Sequence, residues 1–91
     1  MANLSPVEGT HKLCALEDLR RGEQGVVMAV AGGDDPALVR RLIEMGVAEG
    51  VAVEVLQHGP IGGDPLAVRA GPTTIAMRRA EARLVQVLVT S

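Results

Sequence analysis

The sequence predicts a mainly β fold, a small barrel of about five or six short strands with one helix inserted between two of them. Three observations lead there. Short apolar runs recur at close spacing between Gly- and Pro-containing turns. One segment alone carries a capped helical period. No strand-helix-strand alternation recurs to demand a parallel sheet. Closure would also hide the strand edges that a free sheet of this size exposes.

Residues 1–10 include Asn3, Ser5, Pro6, Glu8, Gly9 and Thr10, a polar, aperiodic and breaker-rich mix, and are expected to form a loose tail ahead of a single domain over 11–91. Leu13, Ala15, Leu16 and Leu19 supply the first apolar anchors, and Arg21-Gly22-Glu23 reads as a turn. Residues 26–31 are Val-rich and flanked by Gly, the pattern of a buried strand closed by Gly32-Gly33. The helix starts at Asp35, an N-cap, with Pro36 at the first helical position. Leu38, Leu42 and Met45 recur at helical spacing, Val39 and Ile43 widen that stripe, and Gly46 supplies the left-handed stop after about three turns. Val51, Val53 and Val55 alternate with Ala52 and Glu54 as a half-buried strand does. A loop is expected over residues 59–65, then a hairpin of 66–70 with 74–78 about Gly71-Pro72, a single helical turn over 79–83, and a last strand over 84–89. In that strand Leu84, Val85, Val87, Leu88 and Val89 are apolar on both faces, so either the helix covers the outer face or another chain does, and a homo-oligomer is one of the two readings.

Ninety-one residues make one domain, and 47% hydrophobic residues suffice for a core. The chain contains no Phe, Trp or Tyr. That removes stacking platforms for single-stranded bases, aromatic grooves for Pro-rich ligands, and cages for quaternary cations. Nine basic against eleven acidic side chains give a net charge of -2, opposite to the footprint of a nucleic-acid-binding domain. The single Cys14 forms no internal disulfide, which points to a cytoplasmic location, and no apolar run approaches the ~20 residues that cross a bilayer, so no membrane insertion is expected.

Candidate metal ligands are limited to His11, Cys14 and His58, where a zinc or ferrous site wants three or four converging donors. His11 and Cys14, three apart, point to opposite faces of an extended segment. No intrinsic metal and no cofactor are expected; zinc or iron enters only adventitiously or as a bridge between copies. The Gly-rich stretch at 59–65 lacks the Lys-Ser or Lys-Thr of a phosphate cradle and opens no helix, and Asp34 and Asp35 repel an anion from the helix start. No nucleophile has a base beside it in sequence, so no enzyme is expected. Arginine comes in pairs, Arg20-Arg21, Arg40-Arg41 and Arg78-Arg79, with Arg69 and Arg83 besides and one Lys. These are expected to be solvated or paired internally, as Arg40 with Glu44 at i, i+4, in preference to forming an acidic-partner patch.

The run from Leu16 to Val89 resembles the FeoA family of ferrous iron transport proteins. The residues that carry the resemblance are Leu16-x-x-Leu19 with Gly22, then Val26 and Val27, Arg41-Leu42-x-x-Met45-Gly46-Val47 with Gly50-Val51, Pro60 through Pro65, and Ile75-Ala76-Met77-Arg78 with Ala82. The chain departs from the family pattern in two places: Gly62-Gly63 has one Gly more than usual, and Glu49 stands where many relatives have Pro. The resemblance implies an SH3-like barrel and a non-catalytic accessory protein that docks on the cytosolic regions of the transporter FeoB. The candidate contact surface comprises Arg40, Arg41 and Glu44 on the helix and Pro60, Ile61, Gly62, Gly63, Asp64 and Pro65 in the loop. A metal-binding or metal-sensing module, like the C-terminal SH3-like domain of iron-dependent repressors, is the alternative.

Overall fold

Val-rich runs become strands because β-branched side chains are already stiff and pack well across a pleated surface. In the computed structural model, which describes residues 12–32 and 34–90, the chain forms β1 (Lys12–Ala15), a 3₁₀ turn (Leu16–Asp18), β2 (Gln24–Val30), α1 (Pro36–Glu44), β3 (Ala52–Gly59), β4 (Gly63–Ala70), β5 (Thr73–Met77), α2 (Arg79–Ala82) and β6 (Val85–Val89). The expected tail over residues 1–10 and His11 lie outside the described residues.

Six strands make one sheet in the order β1-β6-β2-β3-β4-β5, with every neighbouring pair antiparallel. The mainly β expectation is met, with α1 inserted between β2 and β3. The strand without a pattern of its own is β1, which pairs Leu13 with Leu88 and Cys14 with Val87. Four residues are too few to show a period, so this strand exists through its partner. Bulges at Val27/Ala29 in β2, and at Val55/Gln57 and His58/Gly59 in β3, bend the sheet towards a barrel. The ladder starts at β1 and ends at β5, however, so hydrogen bonds do not close it. Side chains span the gap instead: α2 packs on β4 and on the 3₁₀ turn, which packs on β6. The expected closure of all strand edges is therefore corrected, because no ladder joins β1 to β5.

The core is wholly aliphatic. Leu16, Leu19, Val27, Leu42, Val55, Leu66, Val68, Val85 and Val87 are at most 1% exposed. In α1, Asp35 accepts a hydrogen bond from the Leu38 N–H at 3.2 Å and Pro36 sits in the first turn. The helix has nine residues, about two and a half turns where about three were expected. Its end is a Schellman motif: Gly46, at φ +102, donates to Ile43 O at 2.9 Å, and Val47 donates to Leu42 O at 2.9 Å. Leu42 and Val47 are both fully buried, so the motif that stops the helix also pins it to the core.

The loop expected over residues 59–65 is mostly strand. β3 runs to Gly59 and β4 begins at Gly63. Asp64 N–H donates to Ile61 O at 3.1 Å, and Gly62 and Gly63 have φ of +63 and +85. This is the φ pattern of a type I′ turn, the tight hairpin connection that needs two consecutive left-handed residues. The additional glycine thus satisfies the geometry that joins β3 to β4. On β6, Val85, Val87 and Val89 are buried between β1 and β2, while Leu84 and Leu88 are half-buried on the other side.

Candidate functional site

Four separate segments converge on one cleft of about 440 Å³. Arg41 reaches it from α1, Ile61, Asp64 and Pro65 from the β3-β4 tip, Ala76 and Met77 from the end of β5 with Arg78 after it, and Glu81 from α2. None of these segments is adjacent in sequence to all the others; the sheet brings them together because β4 pairs with β3 on one side and β5 on the other.

Directed polar contacts hold the walls. The Arg79 N–H donates to Asp64 Oδ1 at 3.0 Å, and Arg79 Nη1 donates to Gly62 O at 2.8 Å, so the hairpin tip is tied to the start of α2. Arg79 Nη2 also lies 3.4 Å from Glu17 Oε1, and Arg83 Nε donates to Glu17 Oε2 at 3.0 Å, extending the tie to the 3₁₀ turn. Glu81 is buried at 7% exposure. Its Oε1 accepts the Arg78 N–H at 2.9 Å, and its Oε2 lies 3.3 Å from Arg41 Nη2, so both oxygens of this buried carboxylate have partners. Arg41 remains 64% exposed, which makes it a reaching, solvated arm.

Of the expected contact residues, Arg41, Ile61, Asp64 and Pro65 line the cleft; Gly62, whose carbonyl accepts from Arg79, does not. Gly63 is half-buried in the turn, and Pro60 is exposed outside the cleft lining. Arg40 and Glu44 are exposed on α1 and do not line it. Nor do they pair with each other, contrary to the i, i+4 expectation: among the described residues the ion pairs are Arg41–Glu81, Arg69–Glu54, Arg79–Glu17 and Arg83–Glu17. A fixed carboxylate on α2 offers Arg41 a partner whose ordering cost is already met, while a pair of exposed side chains must order both ends. Sequence reading missed Arg78, Arg79 and Glu81 as parts of one site. The signal was the Arg78-x-x-Glu81 spacing, in which a Glu three residues into a helix reaches back to the backbone before it.

The metal candidates do not assemble. His58 lies with Nε2 2.9 Å from Leu19 O, so that nitrogen carries the proton and is spent as a donor. Cys14 is half-buried on β1, and burial pushes its thiol pKa up, away from the thiolate that binds metals or attacks carbonyls; Lys12 opposes the shift more weakly. Among the described residues no three His, Cys, Asp or Glu side chains converge, and His11 lies outside them. A second, smaller cleft of about 270 Å³ is lined by Gln24, Val26, Glu54, Arg69 and Thr90 among others, with the Arg69–Glu54 pair at 2.9 Å on its wall. Among the described residues no helix is long and apolar enough to cross a membrane.

Residues 14–89 match the FeoA domain. Among solved structures, the chain is 38% identical to Stenotrophomonas maltophilia FeoA complexed with zinc, with a TM-score of 0.70 over 80% of this chain and 87% of that one. That protein is described as a prokaryotic SH3 domain protein and candidate ferrous iron transport activating factor. A FeoA protein from Chlorobium tepidum is 34% identical, with a TM-score of 0.76 over 85% of this chain and 70% of its own. A manganese-dependent transcriptional repressor shares the fold at 21% identity and a TM-score of 0.76, over 88% of this chain and 43% of its own. No curated protein matches in sequence. The SH3-like expectation is met by these folds.

Proposed function

The chain belongs to the FeoA domain family, and from that premise we propose that it is a non-catalytic cytosolic accessory protein of the ferrous iron transporter FeoB, docking on its cytosolic regions to support or regulate Fe²⁺ uptake. The observation that carries this reading is the cleft. It joins Arg41 to Ile61, Asp64 and Pro65, four of the candidate contact residues. Its chemistry suits recognition more than turnover: an exposed guanidinium, an exposed Ile61, and carboxylates already engaged by hydrogen bonds. Arg40 and Glu44 extend the same surface along the exposed side of α1.

The test is co-purification with the cytosolic regions of FeoB. A complex is expected; Ile61→Asp should weaken it while leaving the thermal midpoint nearly unchanged, and Arg41→Gln should weaken it with a modest fall in midpoint, because Glu81 loses its ion-pair partner. No complex with the parent chain overturns the reading; a complex indifferent to both substitutions removes the surface assignment.

A second reading, direct metal binding, is favoured by the zinc complex of the Stenotrophomonas relative. Among the described residues of this chain no three His, Cys, Asp or Glu side chains converge to hold a metal. Calorimetry with Zn²⁺ and Fe²⁺ separates the two: a stoichiometric heat that Cys14→Ser abolishes supports the metal reading.

A further inference from the structure

The two ends of the sheet differ in how they are guarded. Natural edges are usually blunted by shortness, charge, proline or bulges. β1 is four residues long and begins with Lys12. β5, Thr73-Thr74-Ile75-Ala76-Met77, has five residues, no charge and no proline, and its register with β4 runs from Leu66↔Met77 to Ala70↔Thr73 without a bulge. Among the described residues, no backbone hydrogen bond from outside the sheet reaches it. It is β-prone, exposed at Thr73, Thr74 and Ala76, and open along one side.

That open edge leads into the cleft, which Ala76, Met77 and Arg78 line from β5 and its end and Ile61, 78% exposed, lines from the hairpin tip. Charge decides what fits. Asp64 is engaged by the Arg79 N–H and Glu81 by Arg41, whereas Arg78 is exposed and has no ion pair among the described residues. A second copy pairing β5 with β5 antiparallel would set Arg78 against the Thr73 end, and residues 69–74 contain no carboxylate. We propose that the free edge of β5 accepts an extended segment of a partner protein as an added strand, with an acidic side chain of that segment meeting Arg78 and an apolar one entering the cleft beside Met77 and Ile61. Backbone bonds supply affinity in this mode and the alternate side chains supply selectivity. The proposal rests on the docking reading above and specifies its partner chemistry.

The experiment titrates the isotopically labelled full chain with a capped probe peptide, Thr-Val-Glu-Val-Thr-Val, following amide shifts and amide exchange by NMR. Shifts confined to residues 61–65 and 73–78, slowed exchange in β5, and binding at least about tenfold weaker for the Lys-for-Glu peptide or for Arg78→Glu support the proposal. Absence of binding, shifts elsewhere, or slowed β5 exchange that depends on protein concentration and not on peptide overturns it, the last in favour of a second copy. Arg78→Glu is then carried into the FeoB co-purification. A complex indifferent to it removes the strand acceptor and leaves the docking reading standing; peptide binding without any FeoB complex does the reverse.

Discussion

In the interior, Leu16, Leu42, Val55, Leu66, Val68 and Val87 are fully buried aliphatic side chains. Around the cleft, Asp64–Arg79–Glu17–Arg83 and Glu81–Arg41 are linked by directed contacts of 3.0–3.4 Å, and the arginine side chains are 46–64% exposed. The first region is held by removal of apolar surface from water, about 25 cal/mol per Å², a force that adds up and has no direction. The second is held by contacts that have direction and, with half-exposed partners, little net strength. The difference implies a division of labour: burial keeps the chain folded, and the ties set where the hairpin tip, α2 and Arg41 stand relative to one another.

The largest expected effect is in the interior. Leu42→Ala should cost about 2–5 kcal/mol by urea unfolding, since it leaves a cavity and also strips the apolar contact of the helix stop. Next comes Glu81→Ala, which leaves the Arg78 N–H and the Arg41 guanidinium without their acceptor and should cost about 1–3 kcal/mol in the same assay. Glu17→Ala should cost less than about 1 kcal/mol, yet amide exchange at residues 61–64 should speed up because the Arg79 guanidinium loses one of its two anchors. If Glu17→Ala costs as much as Leu42→Ala, the ties hold the fold and the division of labour is wrong. The smallest effect is at Cys14. Burial raises its pKa in the folded state, so the unfolded chain ionises first, and the associated stability is complete below the ordinary thiol value of about 9 and lost as pH rises through the raised one. Urea midpoints of Cys14→Ala should therefore fall less than those of the parent between about pH 8 and 10.

Much of the fold was legible because it depends on local rules. Asp35-Pro36 and Gly46 bound α1 as capping chemistry requires, and the alternation of Val51, Val53 and Val55 marks β3, whose Val53 and Val55 are at most 2% exposed. β1 was not legible, since four residues with exposed Lys12 and Leu13 have no pattern of their own and become a strand only against β6. The loop over residues 59–65 looked irregular because Gly and Pro punctuate it, whereas a two-residue turn and two bulges let the ladder continue almost to the tip. The site was half legible. Arg41 and the hairpin tip stand out as motif residues, but the choice of Glu81 over Glu44 as the partner of Arg41 is invisible in helical spacing.

Read without coordinates, the chain already dictated a small aliphatic domain of short strands with one capped helix, and it closed off aromatic recognition altogether, because composition, period and capping act over a few residues. Which strand ends the sheet, which arginines find carboxylates and which segments wall the cleft were decided only on folding. Those outcomes depend on distances between residues as far apart in sequence as Glu17 and Arg83, and such distances exist only once the core has condensed.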